Sequence, residues 1–256
     1  MQVTDILLIA SFLPYPVFLL LERFAAARWQ PRVKLWKTTG LVFVALYAGV
    51  GVGLPLLMPA SWFEHSLLPG AALGVAGGAL VGFLVLTLVN YAWHRSVHRV
   101  PLLWRMFHQM HHSAQRLDVS GAFVFHPSEM AAYTVIAVVV TGPVLGLDPV
   151  AAAIVGFIGN FNAVFQHADI RTPAWIGWFV QRPEAHSVHH AYDVHAFNYS
   201  DFPLWDRLFG TYRAAGHFKP RVGFDDQRSG RWVDMAIARD VHAPDFSLAG
   251  AREGAR

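Results

Sequence analysis

The chain has 256 residues, 54% of them hydrophobic and 14% charged, with a formal net charge of +3 and a mean hydropathy of +0.36. A soluble domain carries about a quarter charged residues, so the deficit of charge points to a lipid solvent. Cysteine is absent, which excludes disulfides, thiolate-ligated haem, iron-sulfur clusters and cysteine-rich zinc sites. The basic residues are dispersed rather than striped along one element, so nucleic acid is not an expected partner.

Residues 5–22 form a first apolar span that Pro14 and Pro16 should bend. Nothing basic precedes it, so it reads as an uncleaved helix although Ala25, Ala26 and Ala27 imitate a signal-cleavage site. Residues 40–58 and 67–91 supply a second and third span, each near the 20 apolar residues a bilayer requires. Gly70, Gly74, Gly78 and Gly82 recur every fourth residue in the third span and predict a groove for close helix approach. Residues 128–147 and 149–165 read either as a fourth and fifth span or as a re-entrant hairpin, joined by a tight turn at Asp148.

The fold class expected is therefore all-α, an integral membrane bundle of four to five helices with a cytoplasmic helical cap. Residues 1–66 would be N-terminal membrane helices, 67–212 a catalytic region, and 213–256 a polar cytoplasmic tail that packs loosely or frays. Arg23, Arg28, Arg32, Lys34 and Lys37 lie between the first two spans, whereas residues 59–66 contain no Lys or Arg. That asymmetry places the first connection in the cytoplasm. Tracing the chain onward puts all 20 basic residues on that side, as in a bacterial inner membrane or another membrane with the same orientation.

The histidines carry the chemistry. His94 and His98, then His108, His111 and His112, then His186, His189 and His190 form three boxes. At 3.6 residues per turn each box shares one helix face. Such density would repel itself on protonation unless a cation held the rings neutral. Eight ligands exceed what one ion uses, about four, so two metal ions are expected. His126, His167 and His195 fall on the same side and can join them, whereas His65 falls across the bilayer and His217 and His242 lie in the tail. Asp118, Glu129, Asp169, Asp193 and Asp206 are candidates to accept the second ring N–H of the ligands. Trp104 suits the headgroup layer. There is no Gly-rich phosphate loop, Gly-x-Ser-x-Gly elbow or His-Glu-x-x-His box, and imidazole alone does not choose among iron, zinc and copper.

The three boxes, with His126-Pro127-Ser128-Glu129 between them and Asn198-Tyr199 and Trp205-Asp206-Arg207-Leu208-Phe209-Gly210-Thr211 after them, resemble the fatty acid hydroxylase / sterol desaturase superfamily over roughly residues 85–212. Ser200 departs from the glycine often found there. The resemblance implies an integral membrane oxidoreductase with two iron ions, zinc being a possible replacement on isolation, and O2 as co-substrate. It implies hydroxylation or desaturation of a sterol, fatty acyl or related lipid. The eight box histidines would be the metal ligands at the catalytic centre, with His126, His167 and His195 as additional or outer partners. No electron-carrier domain is visible, so a separate ferredoxin, cytochrome or reductase is implied. A histidine-rich metal-binding membrane protein or transporter without oxygenase activity is the alternative. Transport calls for ionisable ligands near mid-bilayer, where the spans offer only Asn90, Asn160 and Asn162 as strong polar groups.

Overall fold

The computed structural model describes residues 1–242, and within them the chain is helical, with a single isolated β-bridge between Ala191 and Val222. Five helical stretches are long and apolar enough to cross a membrane: Val3–Ala25, Trp36–Leu56, Gly70–Arg99, Pro127–Val144 and Pro149–His167. Their outward side chains stay uncovered, among them Leu41, Leu46 and Leu80 at 55%, 48% and 61% exposure. A monomer in water rarely presents so continuous an apolar surface.

The first stretch is two helices, α1 (Val3–Ala10) and α2 (Pro14–Ala25), broken where Pro14 and Pro16 lack the N–H needed to continue the ladder. Helix α3 is Trp36–Leu56 and α4 is Gly74–Arg99. Gly78 and Gly82 do face another helix: a Cβ on Gly82 would lie 2.6 Å from Leu147 Cδ1 and 2.9 Å from Val155 Cγ2. Gly70 instead meets the Leu145 backbone, and Gly74 faces open space at φ +65, where it serves the turn into α4. The groove is thus two glycines long rather than four.

After α4 the chain turns at Pro101 into α5 (Pro101–Leu103), a π-helical turn over Trp104–His108, and α6 (Gln109–His112). Helices α7 (Pro127–Val139) and α8 (Pro149–His167) follow. They run the full bundle rather than forming a shallow hairpin. Near the start of α7, Glu129 bonds His108, while just beyond its other end the carbonyls of Pro143, Val144 and Leu145 accept from Leu67, Leu68 and Gly70 in the connection between α3 and α4. At the first end, the connection between α2 and α3 is tied down: Arg28 Nε donates to Asp169 Oδ1 at 2.9 Å, and Trp36 Nε1 to Asp118 Oδ1 at 2.7 Å.

Short helices α9 (Pro183–His189), α10 (Pro203–Leu208), α11 (Asp226–Ser229) and α12 (Trp232–Ala236) cover that first end. The expectation of a loose tail fails for residues 213–242. Phe224, Met235 and Val241 are buried against Met110, and Gln109 Nε2 donates to Arg239 O. This apolar patch lies directly beneath α6. Residues 243–256 of the expected tail lie outside the described residues.

Candidate metal centre

The structure distributes the boxes over two groups of ring nitrogens, each group lying within 4.8 Å. One group is His94, His98, His108, His112 and His189, and the other is His111, His167, His186 and His190. The boxes are therefore not three separate claws. Each i, i+4 pair stays together, while the third member of each three-histidine box crosses over. His111 leaves its pair for the second group, and His189 leaves His186 and His190 for the first.

Backbone geometry fixes the tautomers. Nδ1 of His94 faces the Tyr199 carbonyl at 2.6 Å, His189 the Phe197 carbonyl at 2.8 Å, and His167 the Ala163 carbonyl at 2.7 Å. A carbonyl only accepts, so these Nδ1 atoms carry the proton and each Nε2 is left with a lone pair. His108 Nδ1 donates to the fully buried Glu129 carboxylate at 2.5 Å. The Nε2 atoms then meet head to head: His94 and His108 at 2.9 Å, His112 and His189 at 3.0 Å, His167 with His111 at 3.1 Å and with His186 at 3.2 Å. Where both Nε2 atoms present lone pairs, as at His94 and His108, they cannot hydrogen-bond to each other. A cation between them removes the conflict, and two nitrogens bound at right angles about 2.1 Å from one ion lie about 3.0 Å apart. The donor set fits a pair of metal ions.

Burial, followed by repulsion from neighbouring rings, holds His108, His111, His112, His186, His189 and His190 well below the ordinary histidine pKa. The rings are neutral at physiological pH, the form a metal binds.

His195 stands outside both groups, its Nδ1 3.0 Å from His112 Nδ1, and burial takes its pKa down to about 4. His126 is apart from them: it caps α7 through Ser128, and its Nε2 meets Ala236 O at 3.1 Å. His65 lies in the connection between α3 and α4 at the opposite end of the bundle, and His217 in neither group. Trp104, expected in the headgroup layer, packs its ring 5.1 Å from His98 and 5.2 Å from His112.

Of the five carboxylates considered, Glu129 alone is seen to bond a histidine ring N–H. Asp118 binds Trp36 and Arg116, and Asp169 binds Arg28; no ring contact places Asp193. Asp206 acts one step further back. Its oxygens accept from the amides of Tyr199 and Ser200 and from Thr211 Oγ1. Asn198 clamps the same segment, donating to Ala185 O and Arg213 O while accepting from the Arg213 amide. These contacts sustain left-handed backbone at His195, Phe197 and Asn198, φ +40, +70 and +48, a conformation costly outside glycine. The result is two carbonyls, Phe197 and Tyr199, aimed at His189 and His94. Ser200 is accommodated with its hydroxyl accepting from the Phe202 amide, and Trp205 anchors the segment to α4 through Thr87 Oγ1.

The fatty acid hydroxylase family profile matches residues 79–211, just over half the chain and the whole of both histidine groups. The chain belongs to this family. Over 137 residues it is 28% identical to the very-long-chain aldehyde decarbonylase GL1-9 of Oryza sativa subsp. indica, covering 52% of this chain and 53% of that protein. It is 28% identical to the sphingolipid C4-hydroxylase sur2 of Schizosaccharomyces pombe, covering 51% and 46%. With the cholesterol 25-hydroxylase of Rattus norvegicus the identity is 26%, covering 55% and 48%. The chain thus spans about half the length of these relatives of the family. No solved structure matches it.

Proposed function

We propose that the protein is a membrane lipid oxidoreductase, a hydroxylase or desaturase that holds two iron ions and uses O2 with electrons from a separate ferredoxin, cytochrome or reductase. The observation that carries this reading is the convergence of histidine ring nitrogens in two groups beside a largely apolar cavity of about 270 Å³, whose wall includes His94, His108, His111, His167 and His186. The family membership and the hydroxylase names of several relatives support it. When bound, iron supplies the redox chemistry, in which hydroxylation puts one atom of O2 into a C–H bond and reduces the other to water with two electrons and two protons.

The chain's own residues do the rest. Glu129 and the carbonyls of Tyr199, Phe197 and Ala163 orient the rings. Phe123, Phe125 and Leu86 line the cavity with apolar surface that disfavours bulk water. The bond from Arg28 to Asp169 sets the basic first connection beside the histidine end, which supports a cytoplasmic centre, reachable by a soluble electron carrier, in a bacterial inner membrane or its equivalent. A transporter would need ionisable groups through mid-bilayer, and Glu22 and Glu129 both sit near the ends of their spans.

Purified from iron-replete cells, the protein should carry about two ions per chain. Zinc substitution is compatible with this, since nitrogen sites favour zinc over ferrous iron. The iron-loaded protein, supplied with a reductant and a lipid extract, should consume O2 and yield oxygenated or desaturated lipid. A single tightly held ion, or no lipid-dependent O2 uptake, overturns the proposal.

A further inference from the structure

The cavity is not uniformly apolar, and the order of its zones indicates how an occupant lies. Next to the histidines stands a polar belt. Asn90 is one turn from His94 on α4, about 6 Å along the axis, Gln166 directly precedes His167 on α8, and Tyr133 is one turn beyond Glu129 on α7. Gln166 Nε2 donates to Asp201 Oδ1 at 3.0 Å, and Tyr47 Oη to Asn160 Oδ1 at 3.2 Å. Asn90 Oδ1 is buried and has no hydrogen-bond partner among the described residues. Such an acceptor is destabilising while it stays unpaired, and a hydrocarbon occupant would leave it so.

Beyond the belt the lining changes to Leu7, Phe12, Ala137, Ala153 and Phe157. Ala153 precedes His167 by 14 residues of α8, about 21 Å of helix. Gly51, Gly156 and Gly159 line the space, and a Cβ at any of them meets no atom within 4 Å. The cavity reaches the outer surface of the spans at Leu8 and Val52, 48% and 47% exposed, so this mouth faces lipid.

We infer that the lipid lies with a hydroxyl or other hydrogen-donating group at Asn90 and its tail running past Gly159 and Gly156 towards Leu8 and Val52. The carbon presented to the histidines is then within a few bonds of that polar group. The reverse orientation would leave a hydrogen-bonding head in the apolar zone and Asn90 unpaired, both unfavourable. The proposed oxygenase activity gives this placement its chemical meaning, but the placement itself requires no turnover.

The test is photo-crosslinking of the full-length protein in lipid nanodiscs. One probe is a long-chain primary alcohol with a diazirine beside the hydroxyl end, a second carries it near the methyl end, and the matched alkane diazirine is the control. The first should label peptides containing Asn90, Gln166 or Asp201, and the second those containing Leu7–Phe12, Gly51–Val52 or Gly156–Gly159. Asn90→Leu should weaken labelling by the first probe about tenfold, leave alkane labelling unchanged and retain the metal. Gly159→Leu should block labelling near Asn90 by either alcohol, also with metal content unchanged. A reversed labelling order, alcohol labelling no stronger than that of the alkane, or equal loss of alcohol and alkane labelling in Asn90→Leu overturns the inference. Ordered labelling in a protein that consumes no O2 would uphold the placement and refute the oxygenase proposal alone.

Discussion

Glu129 is fully buried, bonds His108 Nδ1 through Oε1, and leaves Oε2 without a partner among the described residues. Glu129→Leu removes the acceptor and strands a buried ring N–H, which costs about 1–3 kcal/mol. That agrees with the 10- to 100-fold loss of metal affinity typical when the partner of a ligating histidine is removed. Glu129→Gln keeps an acceptor oxygen and should lie at the mild end, near tenfold. Because Glu129 hydrogen-bonds only His108 among the nine grouped histidines, the loss should fall on the ion proposed for the group of His94, His98, His108, His112 and His189. The assay is anaerobic titration of the metal-loaded protein with a chelator, counting ions per chain. The wild type should fall from two ions to none over one concentration range, whereas Glu129→Leu should stop at one ion and lose it only where the wild type does. Simultaneous loss of both ions at lower chelator, or a wild-type curve, would refute the reasoning.

Asp206→Ala removes the acceptor for a buried amide, a half-buried amide and a buried hydroxyl, so the unfolding free energy should fall by about 3 kcal/mol, with weaker metal binding as the Tyr199 carbonyl is released from His94. Metal-free protein should lose stability as pH falls below about 6.5. Histidines whose folded pKa is depressed stabilise the fold above the unfolded value and lose that contribution on acidification, at about 1.4 kcal/mol per pH unit per proton. For His195 the loss runs down to about 4, and melting curves at stepped pH that stay flat from 7 to about 5 contradict this. His189→Ala should reduce metal to one ion per chain and abolish activity, whereas His217→Ala should change both by less than about twofold. The opposite ranking by metal analysis would move the centre to the C-terminal segment. In intact cells an impermeant thiol reagent should label Ser66→Cys and spare Arg99→Cys, both exposed positions in a chain with no native cysteine. Labelling of Arg99→Cys alone would reverse the proposed orientation.

The spans and boxes were legible because each depends on a local pattern, a length of apolar sequence or a repeated imidazole. How the histidines divide was not. Spacing shows that His108, His111 and His112 share a face, but a helix as short as α6 sends rings to both sides of its axis, and only the approach of α8 and α9 decides which ring meets which. The carbonyls of Phe197, Tyr199 and Ala163 leave no side-chain signal, and left-handed backbone at Phe197 runs against its residue type. Asn198, visible only as part of a resemblance, and Asp206, expected to bond a ring N–H directly, prove to hold that backbone in place. Phe224, Met235 and Val241 are separated by Arg, Asp and Gly without a helical period, so their burial beneath α6 could not be read from hydropathy.

The crossover of His111 and His189 has a consequence for how the protein is made. The first group lacks a ligand until residue 189 exists, and the second draws on residues from 111 to 190. Neither proposed ion could be fully enclosed while the ribosome is still working through α7 and α8. Both groups are complete only after α8 has been synthesised, so loading of the proposed metals would belong to the end of biogenesis.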